Sequence, residues 1–178
     1  MRLFVAIDLP REVRQLLSSL SGRGIPGARW VPPENYHLTL RFIGETPAYQ
    51  AEEIDHALAA LKSPGFDLTL AGLGVFSRSG RSTSLWTGTE RNPALDRLRN
   101  KVETALQRLR LEPERRRFAP HVTLARLDNV PEVTLAGFLQ AHNLFRTCAI
   151  RVRHFTLFSS RLGKEQAVYT AEVEYGLE

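Results

Sequence analysis

The tetrapeptide His37-Leu-Thr-Leu40 recurs as His121-Val-Thr-Leu124. A repeat restricts a fold more than any single motif, because each copy must form the same local unit and the two units must bury each other. The text around the tetrapeptides repeats in step. Trp86 follows His37 by 49 residues and Tyr169 follows His121 by 48; Val75-Phe-Ser-Arg78 leads to the first and Leu157-Phe-Ser-Ser160 to the second. In the other direction Phe4 precedes His37 by 33 residues and Trp86 precedes His121 by 35. Strand, helix, His-x-Thr strand, helix, strand therefore occurs twice, which predicts an α+β chain built by internal duplication. The expected architecture is two pseudo-symmetric lobes of antiparallel sheet with outer helices, the two His-x-Thr strands facing each other across a central cleft. The whole chain, 1–178, reads as one bilobal domain with repeat halves of about 1–84 and 85–178.

Periodicity supplies the elements. Leu3 to Asp8 is a short apolar run that reads as a buried strand, and Val13, Leu16, Leu17 and Leu20 form one helical stripe after Pro10. Gly24 to Pro33 reads as a connector. Asn35 to Gly44 alternates, with Leu38, Leu40 and Phe42 on one face and His37, Thr39 and Arg41 on the other. Ala48 to Leu61 is helical, Phe66 to Leu70 and Gly74 to Phe76 are strand-like, and Leu85 to Thr89 resumes extended structure. In the second half a helix opens at Pro93, a strand runs from Phe118 to Leu127, another helix opens at Pro131, and strands follow at Ala149 to Ser159 and Gln166 to Glu174.

Composition removes several classes of function. With 178 residues, 43% of them hydrophobic, the chain can bury a sizeable core. The lone Cys148 allows no internal disulfide and has no zinc-finger spacing around it. The apolar run Leu3 to Ile7 is too short for a membrane span or a signal segment, so a soluble, cytoplasmic protein is expected. The net charge is +5, and only three of the 24 cationic side chains are lysines. Arginine's planar fork suits bidentate phosphate binding, so the balance points toward a phosphate-bearing partner without locating it.

Two histidines on the polar faces of two opposed strands can carry acid–base chemistry. An imidazole with an ordinary pKa near 6.5 can serve as base when neutral and as acid when charged. In each copy a threonine sits two residues on, about 6 to 7 Å along the same face, where its hydroxyl can hold a phosphoryl oxygen. His37 and His121 would then flank the attacking and leaving oxygens of a phosphate, with Thr39 and Thr123 on its equatorial oxygens. A metal site is the rival reading, but the motif is His-x-Thr rather than His-x-His and neither strand offers a carboxylate on the same face, so no metal is expected. His56, His142 and His154 lack repeat partners and read as structural or surface residues.

Paired His-x-Thr motifs in a duplicated chain of this length resemble the 2H phosphoesterase superfamily. Arg2 to Pro10, Trp30 to Glu45 and Phe118 to Arg126 are similar to its prokaryotic RNA 2',3'-cyclic phosphodiesterase branch, historically called 2'-5' RNA ligase. The resemblance implies a two-lobed fold around a groove and hydrolysis of an RNA 2',3'-cyclic phosphate to a 2'-phosphate without metal or cofactor. Weak 2'-5' joining is implied as well, with an RNA 5'-hydroxyl replacing water. It also implies His37 as general acid, His121 as general base, and Arg126 near the phosphate; strict alternation would put Arg126 on the wrong face, so either a bulge or the end of the strand is required. Arg41 shares the face of His37 by periodicity and is a candidate substrate-binding residue, as are Phe42 and Trp30, which could stack a base. Arg115, Arg116 and Arg117 could guide an RNA backbone. Expected partners are RNA with a cyclic phosphate end, tRNA fragments among them, bound by a monomer and away from membranes. Two alternatives stay open: a phosphodiesterase for a small cyclic phosphate, such as an ADP-ribose cyclic phosphate or a cyclic nucleotide, and a non-catalytic RNA-binding module.

Overall fold

A computed structural model of the chain describes residues 1–22 and 24–178. In chain order the elements are β1 (Arg2–Asp8), α1 (Arg11–Ser19), β2 (Ala28–Trp30), β3 (His37–Glu45), α2 (Ala48–Ala59), β4 (Phe66–Leu68), β5 (Leu70–Arg78), β6 (Arg81–Thr89), α3 (Pro93–Arg108), β7 (His121–Leu127), α4 (Glu132–Ala141), β8 (Ile150–Val152), β9 (His154–Leu162) and β10 (Ala167–Gly176). Short 3-10 turns at Leu20–Gly22 and Pro33–Asn35 flank β2. The α+β class holds. The strand expected over 118–127 begins only at His121, the one expected over 149–159 is broken at Arg153 into β8 and β9, and β2 lies inside what reads as a connector.

All the strand pairings are antiparallel, and the main sheet runs β10-β9-β1-β3-β7-β6-β5, with β2 added to β7. The two His-x-Thr strands are neighbours in this sheet. They share the single ladder pair Leu38↔Val122, with β10-β9-β1 completing one lobe and β6-β5 the other. The lobes are interwoven in sequence: β5 and β6 follow the first His strand but stand beside the second, whereas β9 and β10 follow the second but stand beside β1. The small β4–β8 sheet also joins the two halves of the chain.

The helices cover the face opposite the histidines. Helix α3 shows how local sequence sets one of them: Asn92 caps it by accepting from the Leu95 N–H at 3.1 Å, Pro93 takes the first turn, and Leu95, Leu98, Val102 and Leu106 are fully buried at helical spacing. Such a cap is worth about 1 kcal/mol. On the far side of the chain, the Tyr175 hydroxyl of β10 donates to Asp55 of α2 at 2.7 Å. Burial and the Asp55 carboxylate push the Tyr175 pKa far upward, so it stays a donor.

Two bulges decide which side chains share the histidines' face. Between Val5↔Arg41 and Ala6↔Thr39 the register of β1 against β3 passes over Leu40; between Leu85↔Ala125 and Trp86↔Thr123 that of β6 against β7 passes over Leu124. Leu40 and Leu124 are the last residues of the two repeated tetrapeptides, so the bulge is itself duplicated. Each extra residue reverses the alternation beyond it. Position five after each histidine, Phe42 or Arg126, thereby returns to the histidine's face, and position four, Arg41 or Ala125, turns to the core.

Candidate active site

Each catalytic candidate is the first residue of its strand and is held in the same way. His37 Nδ1 donates to the Asn35 carbonyl at 2.7 Å and His121 Nδ1 to the Ala119 carbonyl at 2.6 Å. A carbonyl can only accept, so Nδ1 carries the proton and Nε2 is the nitrogen free to exchange one. The register set by Leu38↔Val122 brings His37 across from Thr123 and Thr39 across from His121. Histidine and threonine of one copy thus interleave with those of the other, and the four side chains expected to converge do so at the seam between the lobes.

Aromatic rings wall both imidazoles. Phe4 lies 4.9 Å from His37 by ring centroids, Tyr169 stands edge-on at 5.2 Å, and Phe158 is 6.3 Å away. Around His121, Phe76 stands edge-on at 4.8 Å and Trp86 is 6.1 Å away. Phe76 and Phe158, like Trp86 and Tyr169, occupy matching places in the repeat. Periodicity and charge do not mark these residues as site components; their recurrence in the two halves is the signal that does. Trp86 also explains Gly74: a Cβ there would lie 2.4 Å from the indole Cη2.

Both histidines have lowered pKa values. For His37 burial is the main cause; the bond to Asn35 opposes it, and the positive charges of His121, Arg126 and Arg14 add to it. For His121 burial again leads, opposed by the bond to Ala119 and reinforced by Arg126. The Arg126 charge therefore reaches both rings, and the bulge required to bring it onto this face is present at Leu124. Burial penalises charge of either sign, but the arginine charges that add to the lowering favour an anion here, and a bound anion would in turn raise both pKa values.

Three sequence expectations change or sharpen. Arg41 does not share the face of His37. The bulge at Leu40 turns it into the core, where it is 8% exposed and its Nε donates to Glu103 of α3 at 2.6 Å, with its other nitrogens on the Phe42 and Glu112 carbonyls. Phe42 does share that face and is 63% exposed. Trp30 sits across from Ala125, on the core side, and packs on Phe138 of α4 at 5.9 Å, so it is removed from the histidines.

His154 has a partner that alternation alone does not disclose. Its Nε2 lies 2.9 Å from Asp8, which is the cross-strand neighbour of His37. Asp8, His154 and Glu174 bring one ligand atom each within 4.8 Å of one another. Arg14 Nη2, 3.9 Å from Asp8, already places a positive charge there. Arg115, Arg116 and Arg117 are exposed in the loop before β7.

Paired histidines and threonines on a duplicated antiparallel scaffold, with one arginine acting on both imidazoles, define a two-histidine phosphoesterase. A family model described as LigT like Phosphoesterase matches residues 5–86 and 88–169, and the chain belongs to that family. Its relatives include the RNA 2',3'-cyclic phosphodiesterase of Aeropyrum pernix, 35% identical over 162 residues that cover 89% of this chain and 90% of the relative. The RNA 2',3'-cyclic phosphodiesterase of Geobacillus stearothermophilus is 39% identical over 128 residues, 69% of this chain but only 41% of that longer protein. Among solved structures, Escherichia coli LigT complexed with 3'-AMP superposes with a TM-score of 0.81 at 30% identity, covering 99% of this chain and 97% of the other. No helix among the described residues is long and apolar enough to cross a membrane.

Proposed function

We propose that this chain hydrolyses the 2',3'-cyclic phosphate end of RNA to a 2'-phosphate by acid–base catalysis between His37 and His121. The observation that carries the proposal is the twin anchoring of the imidazoles: both present Nε2, from adjoining strand starts, beside an arginine whose charge acts on both. The activity named for the relatives supports the choice of substrate.

In the proposed reaction His121 Nε2 takes a proton from water as the water oxygen bonds to phosphorus. The bond from phosphorus to the 3'-oxygen breaks, and His37 Nε2 gives its proton to that oxygen. Thr39 and Thr123 donate to the equatorial oxygens, and Arg126 offsets the charge that gathers on them. Phe42, exposed on the same face, offers a ring on which the terminal base can stack. The cyclic phosphate is a monoanion, so its binding raises the depressed pKa of both histidines and allows His37 to hold a proton near neutral pH. With an RNA 5'-hydroxyl in the place of water, His121 would take the hydroxyl proton as its oxygen bonds to phosphorus and the 3'-oxygen would again leave protonated by His37, which gives 2'-5' joining. We place this activity in a cytoplasmic monomer acting on RNA ends, tRNA fragments included.

An oligonucleotide ending in a 2',3'-cyclic phosphate, incubated with the protein and a chelator, should be converted to a 2'-phosphate end. A 3'-phosphate product, or conversion that stops on chelation, would overturn the mechanism.

A further inference from the structure

We propose that Arg29 binds the phosphodiester that precedes the cyclic phosphate in an RNA chain, extending the site by one nucleotide along β2. The inference rests on the reading of the chain as an RNA-end phosphodiesterase. It begins from an arrangement that folding alone does not favour. Arg29 on β2 is the direct cross-strand partner of Arg126 on β7. Residues so paired share a face with their Cα atoms about 4.5 to 5.5 Å apart, and like charges in that relation are destabilising.

Neither arginine is relieved by a carboxylate. Among the described residues, neither Arg29 nor Arg126 has an acidic oxygen within 4.0 Å, whereas Arg14, Arg41, Arg146 and Arg151 each do. Both are exposed. The pair also has a defined place. Arg126 faces Ser84 on its other side, and Ser84 faces Phe76, whose ring stands against His121. A single row thus crosses four strands, from the wall of the catalytic imidazole through Arg126 to Arg29.

Alternation confirms the direction of Arg29. Its neighbours Ala28 and Trp30 pack on the core, so Arg29 projects from the opposite face, the one that carries Arg126 and the histidines. Among the described residues the first lobe has no equivalent: the position matching Arg126 is Phe42, which pairs with Phe4 of β1 as Arg126 pairs with Ser84 of β6, and no strand pairs with Phe42 on its other side as β2 pairs with Arg126. One lobe therefore offers an apolar ring beside the reacting phosphate and the other a second cation. An RNA end has the same polarity, with a base on one side of the terminal ribose and the preceding phosphodiester on the other.

Arg29→Gln and Arg29→Lys test the proposal, with a 2',3'-cyclic mononucleotide and a trinucleotide ending in 2',3'-cyclic phosphate as substrates. Binding of a trinucleotide ending in 2'-phosphate is followed by fluorescence anisotropy across a range of salt. For Arg29→Gln the trinucleotide KM should rise about 5- to 10-fold with kcat unchanged, as for one charge-assisted contact at a partly wetted site. Mononucleotide turnover should stay at the wild-type value. The slope of log affinity against log salt should flatten by about 0.7, and Arg29→Lys should restore that slope. Equal losses on both substrates, or an unchanged salt slope, would overturn the assignment. If the wild type turned over neither substrate, the proposed reaction would fall, and the anisotropy contrast would still decide the role of Arg29.

Discussion

Replacing Glu103 with glutamine should destabilise the protein without touching its chemistry, and the size of the effect follows from burial. The Glu103 side chain is 9% exposed and that of Arg41 8%, with 2.6 Å between Oε2 and Nε. Glu103 also accepts from Gln107 Nε2 at 3.0 Å and from the Glu114 N–H at 2.9 Å. Burial alone would raise its pKa, but the hydrogen bonds from Gln107, the Glu114 N–H and Arg41, with the Arg41 charge, outweigh burial and lower it. Removing one member of a buried pair leaves the other charge without compensation, at a cost of about 3 to 5 kcal/mol. Glutamine keeps part of the hydrogen bonding, so the low end applies. About 3 kcal/mol corresponds to a fall in Tm of roughly 6 to 12 °C for a chain of this length. Thermal unfolding of Glu103→Gln measures it directly. The double variant Arg41→Met/Glu103→Leu should recover most of the loss, since neither charge then needs a partner, and its KM for a cyclic phosphate substrate should match the wild type. A wild-type Tm for Glu103→Gln, or a raised KM in the double variant, would return Arg41 to the substrate site and refute this account of the bulge.

Other outcomes follow from the same geometry. His37→Ala and His121→Ala should each lower kcat by about 10²- to 10⁴-fold, and the double variant should be little worse than either, because the two act as one unit; additive losses in single-turnover assays would refute their cooperation. Both histidines have lowered pKa values when folded, so the unfolded chain binds more protons below about pH 6.5. Their contribution to stability is complete above that pH and is lost as pH falls toward the depressed values, a slope in urea midpoints that His37→Gln/His121→Gln should reduce. Gly74→Ala should drive the Trp86 indole toward His121, costing about 1 to 3 kcal/mol of stability by overpacking, seen as a lowered Tm, and lowering kcat; an unaltered kcat would show that the ring does not position the imidazole.

The duplicated tetrapeptide disclosed the α+β class, the internal duplication and the meeting of His37, Thr39, His121 and Thr123, because all three depend on strand periodicity and repeat order alone. What it concealed lies beyond Leu40 and Leu124. A bulge inserts one residue without altering composition, and for the side chains just beyond it alternation assigns the wrong face. The requirement was visible at Arg126 only because resemblance demanded that residue near the phosphate. Applied to the first copy, the same bulge exchanges Arg41 for Phe42. Trp30 was hidden for another reason: three residues of β2 inside a proline- and glycine-rich connector are too few to show a period, and only their pairing with β7 assigns them a face. Tertiary pairing likewise decides the company of His154, since Asp8 lies 146 residues away in sequence.

The order of strands has a consequence for synthesis on the ribosome. β1 is buried through nearly its whole length and needs β3 on one edge and β9 on the other. Its second edge stays unpaired until residues beyond His154 have left the exit tunnel, long after the first His-x-Thr strand has emerged. Premature termination anywhere before β9 would thus release a chain with an open apolar strand edge, prone to aggregate and lacking the Phe158 and Tyr169 walls of His37. Partial products of translation have no route to a partial phosphoesterase, so RNA is exposed to this chemistry only once the chain is long enough to close its own sheet.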